Sequence, residues 1–507
     1  MSNESCLFSF LEIYYVYMEK IKRSLFFWLL AILFFIAGPA VILYSQGYRF
    51  DFRKGIFVHS GTITFKANPQ NFNVKINGKP SNSQQLNRIN SSFNVQGLLP
   101  GDYEIGLEKD GFQSWSKKTV VHSGVASEFW NILLVRGNYE KTEYDTSGAE
   151  KFYISPKSDY AAYEKKTDSG LEINLFNISS EKNDSSYNFP DWNFIEDARK
   201  ENIEWSPDQA YISVPVEKKA DNGLEEYNYF IVDVDGETSF NLGEFSNLKE
   251  LSGVRWDPKE KGYLFFRSGS SLYRLNARDN LDIVKISDDV LSFDLSKTDL
   301  YFIKSPNNLA YKTATDGKSE FQQITSGFPD ENNPEIHRII TYDDDRIAFI
   351  SRHEDLFVYN KGEYDTYFKK LGEGVKGVHF SDDGKKLLFW TKNEISVYFT
   401  QDWDVQPIRS ENDLTNVTRY SDEIKNVQWF KDYEHIIFST GKYVKIIELD
   451  PRDHRTCMDL LTTTVENPFI IYNNYLEKMY FVDAKDDSTI IYSIDFPEPT
   501  PILGIGG

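Results

Sequence analysis

Two hydrophobic patterns divide the chain. Ser24 to Tyr44 reads SLFFWLLAILFFIAGPAVILY, 21 residues without a charge, whereas beyond residue 58 short apolar runs alternate with polar positions. At about 1.5 Å per residue a helix over 24–44 spans about 31 Å, close to the hydrocarbon thickness of a bilayer. It carries no polar stripe of the kind a soluble helix turns to water, so the pattern predicts a transmembrane helix with the lipid bilayer as its partner. Gly38 and Pro39 fall in its second half, where a membrane helix tolerates a kink if neighbours resatisfy the backbone.

The flanks bear on orientation. Lys20, Lys22 and Arg23 precede the segment, and Arg49, Arg53 and Lys54 follow it, so flanking charge alone does not orient it. The layout does: a short basic head (1–23), one apolar stretch, then a long body resembles a signal anchor, with the head cytoplasmic and the body exported. The rival reading is a cleaved signal, for which Ser45-Gln46-Gly47 supplies small residues. The apolar stretch exceeds the roughly 7–15 residues of a removable signal, which favours retention. Met18, directly before Glu-Lys-Ile-Lys-Arg, is an alternative start to Met1.

Between 58 and 136 the alternation has period two. Thr62 to Ala67 and Phe72 to Ile76 alternate, and Asn77-Gly78 closes the second run with a dipeptide suited to the positive φ angles of a tight hairpin. Leu98 and Leu99 run into a Pro100-Gly101 turn and a strand through Leu107, Asp110-Gly111 ends it, and further runs cover 116–121 and 126–135. Five to six short antiparallel strands in so few residues predict a small β-sandwich. The series Gly61-x-Ile63-x-Phe65, Pro69, Val74-x-Ile76-Asn77-Gly78, Leu99-Pro100-Gly101-x-Tyr103-x-Ile105 and Gly111-Phe112-x-x-Trp115 resembles a PEGA domain. The family's namesake motif is replaced here by Pro69-Gln70-Asn71-Phe72. The resemblance implies an exported surface protein that binds cell-wall glycan or other wall components. Phe112, Trp115 and Trp130 are the candidate ligand-binding residues, as a stacking platform; the alternative is that they fill the sandwich core, since a small domain needs large anchors.

From 138 to 497 the sequence repeats. Ile203-Glu204-Trp205-Ser206-Pro207-Asp208 followed by a buried run at 211–214 and another at 229–234 matches units beginning at Val254, Val378 and Val427. Weaker copies begin near Phe152, Leu291, Arg338 and Pro468. About eight units with a period near 43 and about four strands each predict a β-propeller, because one blade cannot bury both its faces. Seven blades remain open, since the two end units could share one blade. The Ser-Pro-Asp turns resemble those of TolB-like and dipeptidyl-peptidase-type propellers. The expected fold class is therefore all-β: N-terminal transmembrane helix, PEGA-like sandwich, seven- or eight-bladed propeller, and a short tail at 498–507.

Composition narrows the function. Aromatic residues make up 15%, with 38 Phe and 31 Tyr, in keeping with pleated, half-buried surfaces. A net charge of −21 without a basic stripe argues against nucleic acid as a partner. Two cysteines, Cys6 and Cys457, give no disulfide framework; in the anchored topology a bilayer separates them.

Catalytic motifs do not emerge. No Gly-x-Ser-x-Gly elbow, His-Glu-x-x-His, Cys-x-x-Cys or Walker-type loop occurs, so no cofactor or metal is expected. Asp343-Asp344-Asp345 and Asp233-x-Asp235-Gly236 have the residue types of calcium ligands, but stand where turns belong and read as turn residues. Paired carboxylates for glycoside hydrolysis leave no linear signature. The expectation is a membrane-anchored binding protein for cell-wall glycan or surface proteins; the alternatives are an enzyme with its site in the central funnel and a structural spacer.

Overall fold

The computed structural model describes residues 4–81, 84–87, 91–195, 202–219, 223–330 and 334–497, with backbone alone for 4–19, 21, 84–87, 280 and 281. The expected tail at 498–507 and the Cys6 side chain lie outside the described residues. The chain divides into two units, Met1–Lys109 with Ser114–Leu133, and Asp110–Gln113 with Leu134–Gly507.

The first unit opens with one helix, Glu4–Ser45, which continues through Pro39. It starts well before the apolar stretch, so the basic head is helical and continuous with it. Over Lys22–Ser45 the mean hydropathy is 2.6 and none of the apolar window is buried. By length and composition this helix could cross a membrane or serve as a signal segment. A hairpin, Tyr48–Asp51 with Ile56–His59, follows it; the Asp51 carboxylate accepts the Arg53 N–H at 2.9 Å and shapes the turn.

Two four-stranded sheets then form a sandwich. One holds Gly61–Asn68, Gln84–Asn87, Ser92–Leu98 and Ala126–Leu133; the other holds Asn73–Ile76, Lys79–Pro80, Gly101–Glu108 and Trp115–Val121. Asn77 and Gly78 adopt φ of 50° and 73°, the positive values a tight hairpin turn requires. The alternation places Ile63, Phe65, Val74, Ile105, Leu107 and Phe129 inside, each at most 2% exposed. One strand departs from the antiparallel expectation: Ala126–Leu133 runs parallel to Gly61–Asn68. The preceding strand lies in the opposite sheet, so the chain crosses over before it pairs. A Cβ at Gly61 would sit 2.4 Å from Val121 and 2.5 Å from the His122 carbonyl, so this crossing needs glycine.

The second unit is a β-propeller of eight sheets among the described residues. The first strands of blades 1 to 8 are Lys151–Ile154, Glu204–Trp205 (with Asn193–Phe194), Leu251–Trp256, Val290–Leu295, Ile336–Asp343, Val375–Phe380, Ile424–Trp429 and Ile470–Asn473. From blade 2 onward each of these strands contacts the first strand of a neighbouring blade, and together they form the inner wall. The ring closes in two ways. Thr142–Glu143 pairs with the last strand, Ser488–Asp495, and Phe152, Tyr163 and Phe176 of blade 1 pack against Tyr480, Val482 and Ile491 of blade 8. Eight blades therefore stand, and the strand before blade 1 completes the eighth.

The repeated turn has one mechanism. The hydroxyls of Ser155, Ser206 and Ser381 accept the N–H of Tyr160, Tyr211 and Lys386 at 2.9–3.0 Å. Their carbonyls accept the N–H of Ser158, Gln209 and Gly384, three residues with φ of 64–68°. All three serines are at most 2% exposed, so each hydroxyl replaces water for an otherwise unsatisfied amide.

Candidate functional site

The inner strands follow the period-two rule until a bulge resets it. Register shifts fall between Ser252 and Arg255, Val290 and Ser292, Ile336 and Arg338, Val375 and Gly377, and Lys425 and Gln428. An extra residue re-aims the side chains that follow it. Beyond the bulges Val254, Trp256 and Phe293 are buried between blades while Arg255 and Asp294 remain half-buried. Polar residues thereby collect along the inner wall.

These residues stitch one blade to the next. The Glu204 carboxylate binds Arg255 Nη1 at 2.6 Å and accepts the Trp256 N–H at 3.2 Å. Asp294 lies 3.9 Å from Arg255 Nε and accepts the Thr341 N–H at 2.8 Å. Gln428 accepts the Tyr472 N–H at 2.8 Å. Enclosure by the blades pushes the carboxyls of Glu204 and Asp294 above the usual range, with Arg255 opposing it in both. Glu204 in turn raises the Arg255 guanidinium. Burial, reinforced by the like charge of Arg255, lowers Arg338. The same enclosure holds the His379 imidazole below its ordinary value, against Asp382 and with the help of Arg338. His379 is nonetheless open to solvent.

One end of the propeller axis opens into a cavity of about 790 Å³ lined from blades 1, 2, 5, 6, 7 and 8. Its cations are Lys151, Arg338, Lys376 and Lys425, its carboxylates Glu150, Glu354 and Glu423, and Trp390 and Phe469 present rings to it. Lys376 binds Glu354 at 2.6 Å, Lys425 lies 3.7 Å from Glu423, and Glu150 pairs with Lys166 at 3.4 Å. Gly377 makes room for the Trp390 indole, because a Cβ there would sit 2.2 Å from the ring.

A second cavity, about 950 Å³, lies among the first turns of blades 4, 5 and 6 and includes Asp343, Asp344, Asp345 and His379. Each aspartate of the run has its own partner. Asp343 pairs with Arg346, Asp344 takes the Tyr301 hydroxyl at 2.6 Å and Lys312, and Asp345 lies 3.4 Å from Lys361. Asp233 accepts the Gly236 N–H at 2.9 Å in the local turn geometry that favours aspartate. Among the described residues no group of three or more His, Cys, Asp or Glu side chains is arranged to hold a metal ion.

The three aromatic residues singled out in the sequence occupy different settings. Trp115 is 2% exposed and meets Phe129 edge to face at 5.5 Å inside the sandwich. Trp130 is half-buried and its indole N–H donates to Glu128 at 3.0 Å. Phe112 belongs to the second unit, half-buried, with the Arg136 guanidinium 5.3 Å over its ring. Cys457 is a free thiol. The inner-wall residues escaped the sequence reading, although the repeat itself marks them: Glu204, Arg255, His379 and Gln428 each directly precede the aromatic that ends their strand.

No protein-family profile and no curated protein matches the chain. Among solved structures it is similar to Kluyveromyces lactis Hsv2 (11% identity, TM-score 0.39, covering 62% of this chain and 98% of that one). It is also similar to the β-propeller domain of Myceliophteria thermophila Cps50 (10%, 0.39, 70% and 98%). A third is Porphyromonas gingivalis dipeptidyl peptidase 4 (12%, 0.44, 69% and 58%). At these values the likeness carries no inference about ligand or activity, and the propeller rests on its own eight-sheet ring.

Proposed function

We propose that this protein is a membrane-anchored binding protein whose sandwich and propeller present an extracytoplasmic surface to cell-wall glycan. The observation that carries the binding role is the state of the inner wall. Its carboxylates are committed to Arg255 and to main-chain amides of the next blade, while the adjoining cavity offers rings and polar groups to a ligand. That combination supports a held ligand. Anchoring is supported by the unburied helix Lys22–Ser45 and by the hairpin after it, which exposes Phe50, Phe52, Ile56 and Phe57 beside Arg53 and Lys54. Aromatic and basic residues together suit the headgroup zone of a bilayer. The turn chemistry of the sandwich adds the resemblance to PEGA domains and, with it, the wall as partner.

Two measurements test this. Protease added to intact cells should digest the body while the helix stays with the membrane; protection until lysis would place the body in the cytoplasm. The full chain in detergent should co-sediment with insoluble wall polymer, and failure to do so would remove the glycan. The raised carboxyls of Glu204 and Asp294 favour a second reading, a glycan-cleaving enzyme in the funnel. Release of reducing ends that Glu204→Gln abolishes would establish that reading instead.

A further inference from the structure

Arg338 stands apart from the other cations of the axial cavity. Lys376 and Lys425 have carboxylate partners, and Lys151 lies 5.4 Å over the Phe194 ring. Arg338 has neither a hydrogen bond nor an ion pair among the described residues. Two inner-wall carboxylates are already taken: Glu204 by Arg255 and the Trp256 amide, Asp294 by the Thr341 amide with Arg255 close by. Asp294 therefore reaches Arg338 only through space.

We propose that Arg338 is the anchor of a binding site for an acidic sugar, a uronate-type residue whose carboxylate meets the guanidinium fork while its ring lies against Trp390 or Phe469. The proposal rests on the glycan reading above and names the class of sugar. Three features support it. Arg338 is half-buried in the cavity wall with its fork unpaired among the described residues, and a ligand carboxylate supplies the missing partner. The planar fork of arginine matches a carboxylate with two parallel hydrogen bonds. Finally, the surroundings are those of a sugar site. Trp390 is seated by Gly377, and Phe469 is held edge to face on Phe152 at 5.4 Å, so both rings are fixed, while Asn202 and Asn467 lie exposed at the rim. The bulge between Ile336 and Arg338 is the device that sets Arg338 into the cavity.

The overall charge of −21 repels anions at long range, so capture depends on short-range contacts.

The test is calorimetric titration of the full chain in detergent with oligoglucuronate, with the neutral oligoglucose of equal length, and with acetate. The acidic oligomer should bind at least about tenfold more tightly than the neutral one, and Arg338→Gln should remove that preference. Arg338→Lys should recover only part of it, since the charge returns without the fork. Thermal melts of each variant establish that it folds; if Arg338→Gln does not fold, Arg338→Lys and the wild-type preference decide. Equal affinity for acidic and neutral oligomers, undiminished preference in a folded Arg338→Gln, or acetate binding as tightly as oligoglucuronate would each overturn the proposal. A wild type without the acidic preference but with intact co-sedimentation with wall polymer would leave the glycan reading standing and remove only this site.

Discussion

The Trp205 indole N–H donates to the main-chain carbonyl of Tyr153, one blade upstream, at 3.0 Å. Trp256 repeats the bond to Glu204 at 3.1 Å and Trp429 to His379 at 3.1 Å. The donor and acceptor are 50–52 residues apart in each case. The tryptophans that mark the repeat are thus blade-to-blade fasteners: each buries its ring between sheets and gives its N–H to a main-chain carbonyl of the preceding blade.

Replacing Trp256 by Phe keeps most of the buried ring and removes the donor. The expected outcome is a loss of about 1 kcal/mol, the net worth of one neutral hydrogen bond, since the Glu204 carbonyl keeps Ser213 as a donor. A lowered propeller melting transition, by calorimetry on the full chain, checks it. An unchanged transition would mean that water replaces the indole.

Lys386 is fully buried, pairs with Glu434, donates to the Tyr433 carbonyl at 2.8 Å, and lies 3.8 Å over the Trp403 ring. Lys386→Met alone strands the Glu434 carboxylate, and burial already holds that group above its ordinary value against the opposing charge of Lys386. A destabilisation of about 3–5 kcal/mol follows, and Lys386→Met with Glu434→Gln should recover most of it. The same melts, run on single and double variants, give the coupling.

His435 and Asp432 should shape the pH dependence of stability. The His435 ring nitrogen lies 2.8 Å from the Asp432 carboxylate. Burial pulls the imidazole down, but Asp432, with Glu448 and Glu434 adding to it, outweighs burial and lifts its pKa. Asp432 is likewise pushed up by burial, yet His435 and two main-chain amides bring it below its ordinary value. A raised histidine contributes fully below its unfolded pKa of about 6.5 and loses the contribution as pH rises through the folded value. A lowered aspartate contributes above about pH 4 and loses it in acid. The difference in melting temperature between wild type and His435→Asn should be largest between about pH 4 and 6.5 and shrink toward pH 9. A difference that grows with pH would contradict the assignment.

Gly377→Ala tests the seat of Trp390. The added methyl would meet the indole at 2.2 Å, so the ring must move out of the cavity wall, at a cost of about 1–3 kcal/mol. The checks are the melting temperature and the near-ultraviolet dichroism of the tryptophans.

How much of this was legible beforehand differs by element. The runs at Ile203, Val254, Val378 and Val427 announced the blades because each combines a local alternation with a turn at fixed spacing. Arg338 was legible only as the start of a weak copy. Its role depends on a bulge, and a bulge is a mismatch between two strands that neither strand carries alone. The platform of Phe112, Trp115 and Trp130 was assembled from residue type, whereas the sheet pleat turned Trp115 inward onto Phe129 and left Trp130 to Glu128.

By itself the sequence determined whatever depends on near neighbours: an uncharged apolar stretch from Ser24 to Tyr44, a hairpin at Asn77-Gly78, serine-closed turns, and a strand period repeated through the last 360 or so residues. The tertiary structure decided what depends on closure. Thr142–Glu143 joins a strand lying some 350 residues later, Ala126–Leu133 takes a parallel partner, and Glu204, Arg255 and Asp294 satisfy one another while Arg338 does not. Local patterns fix which face of a strand is apolar; only ring closure fixes which polar residues meet across the axis, because those neighbours belong to different blades.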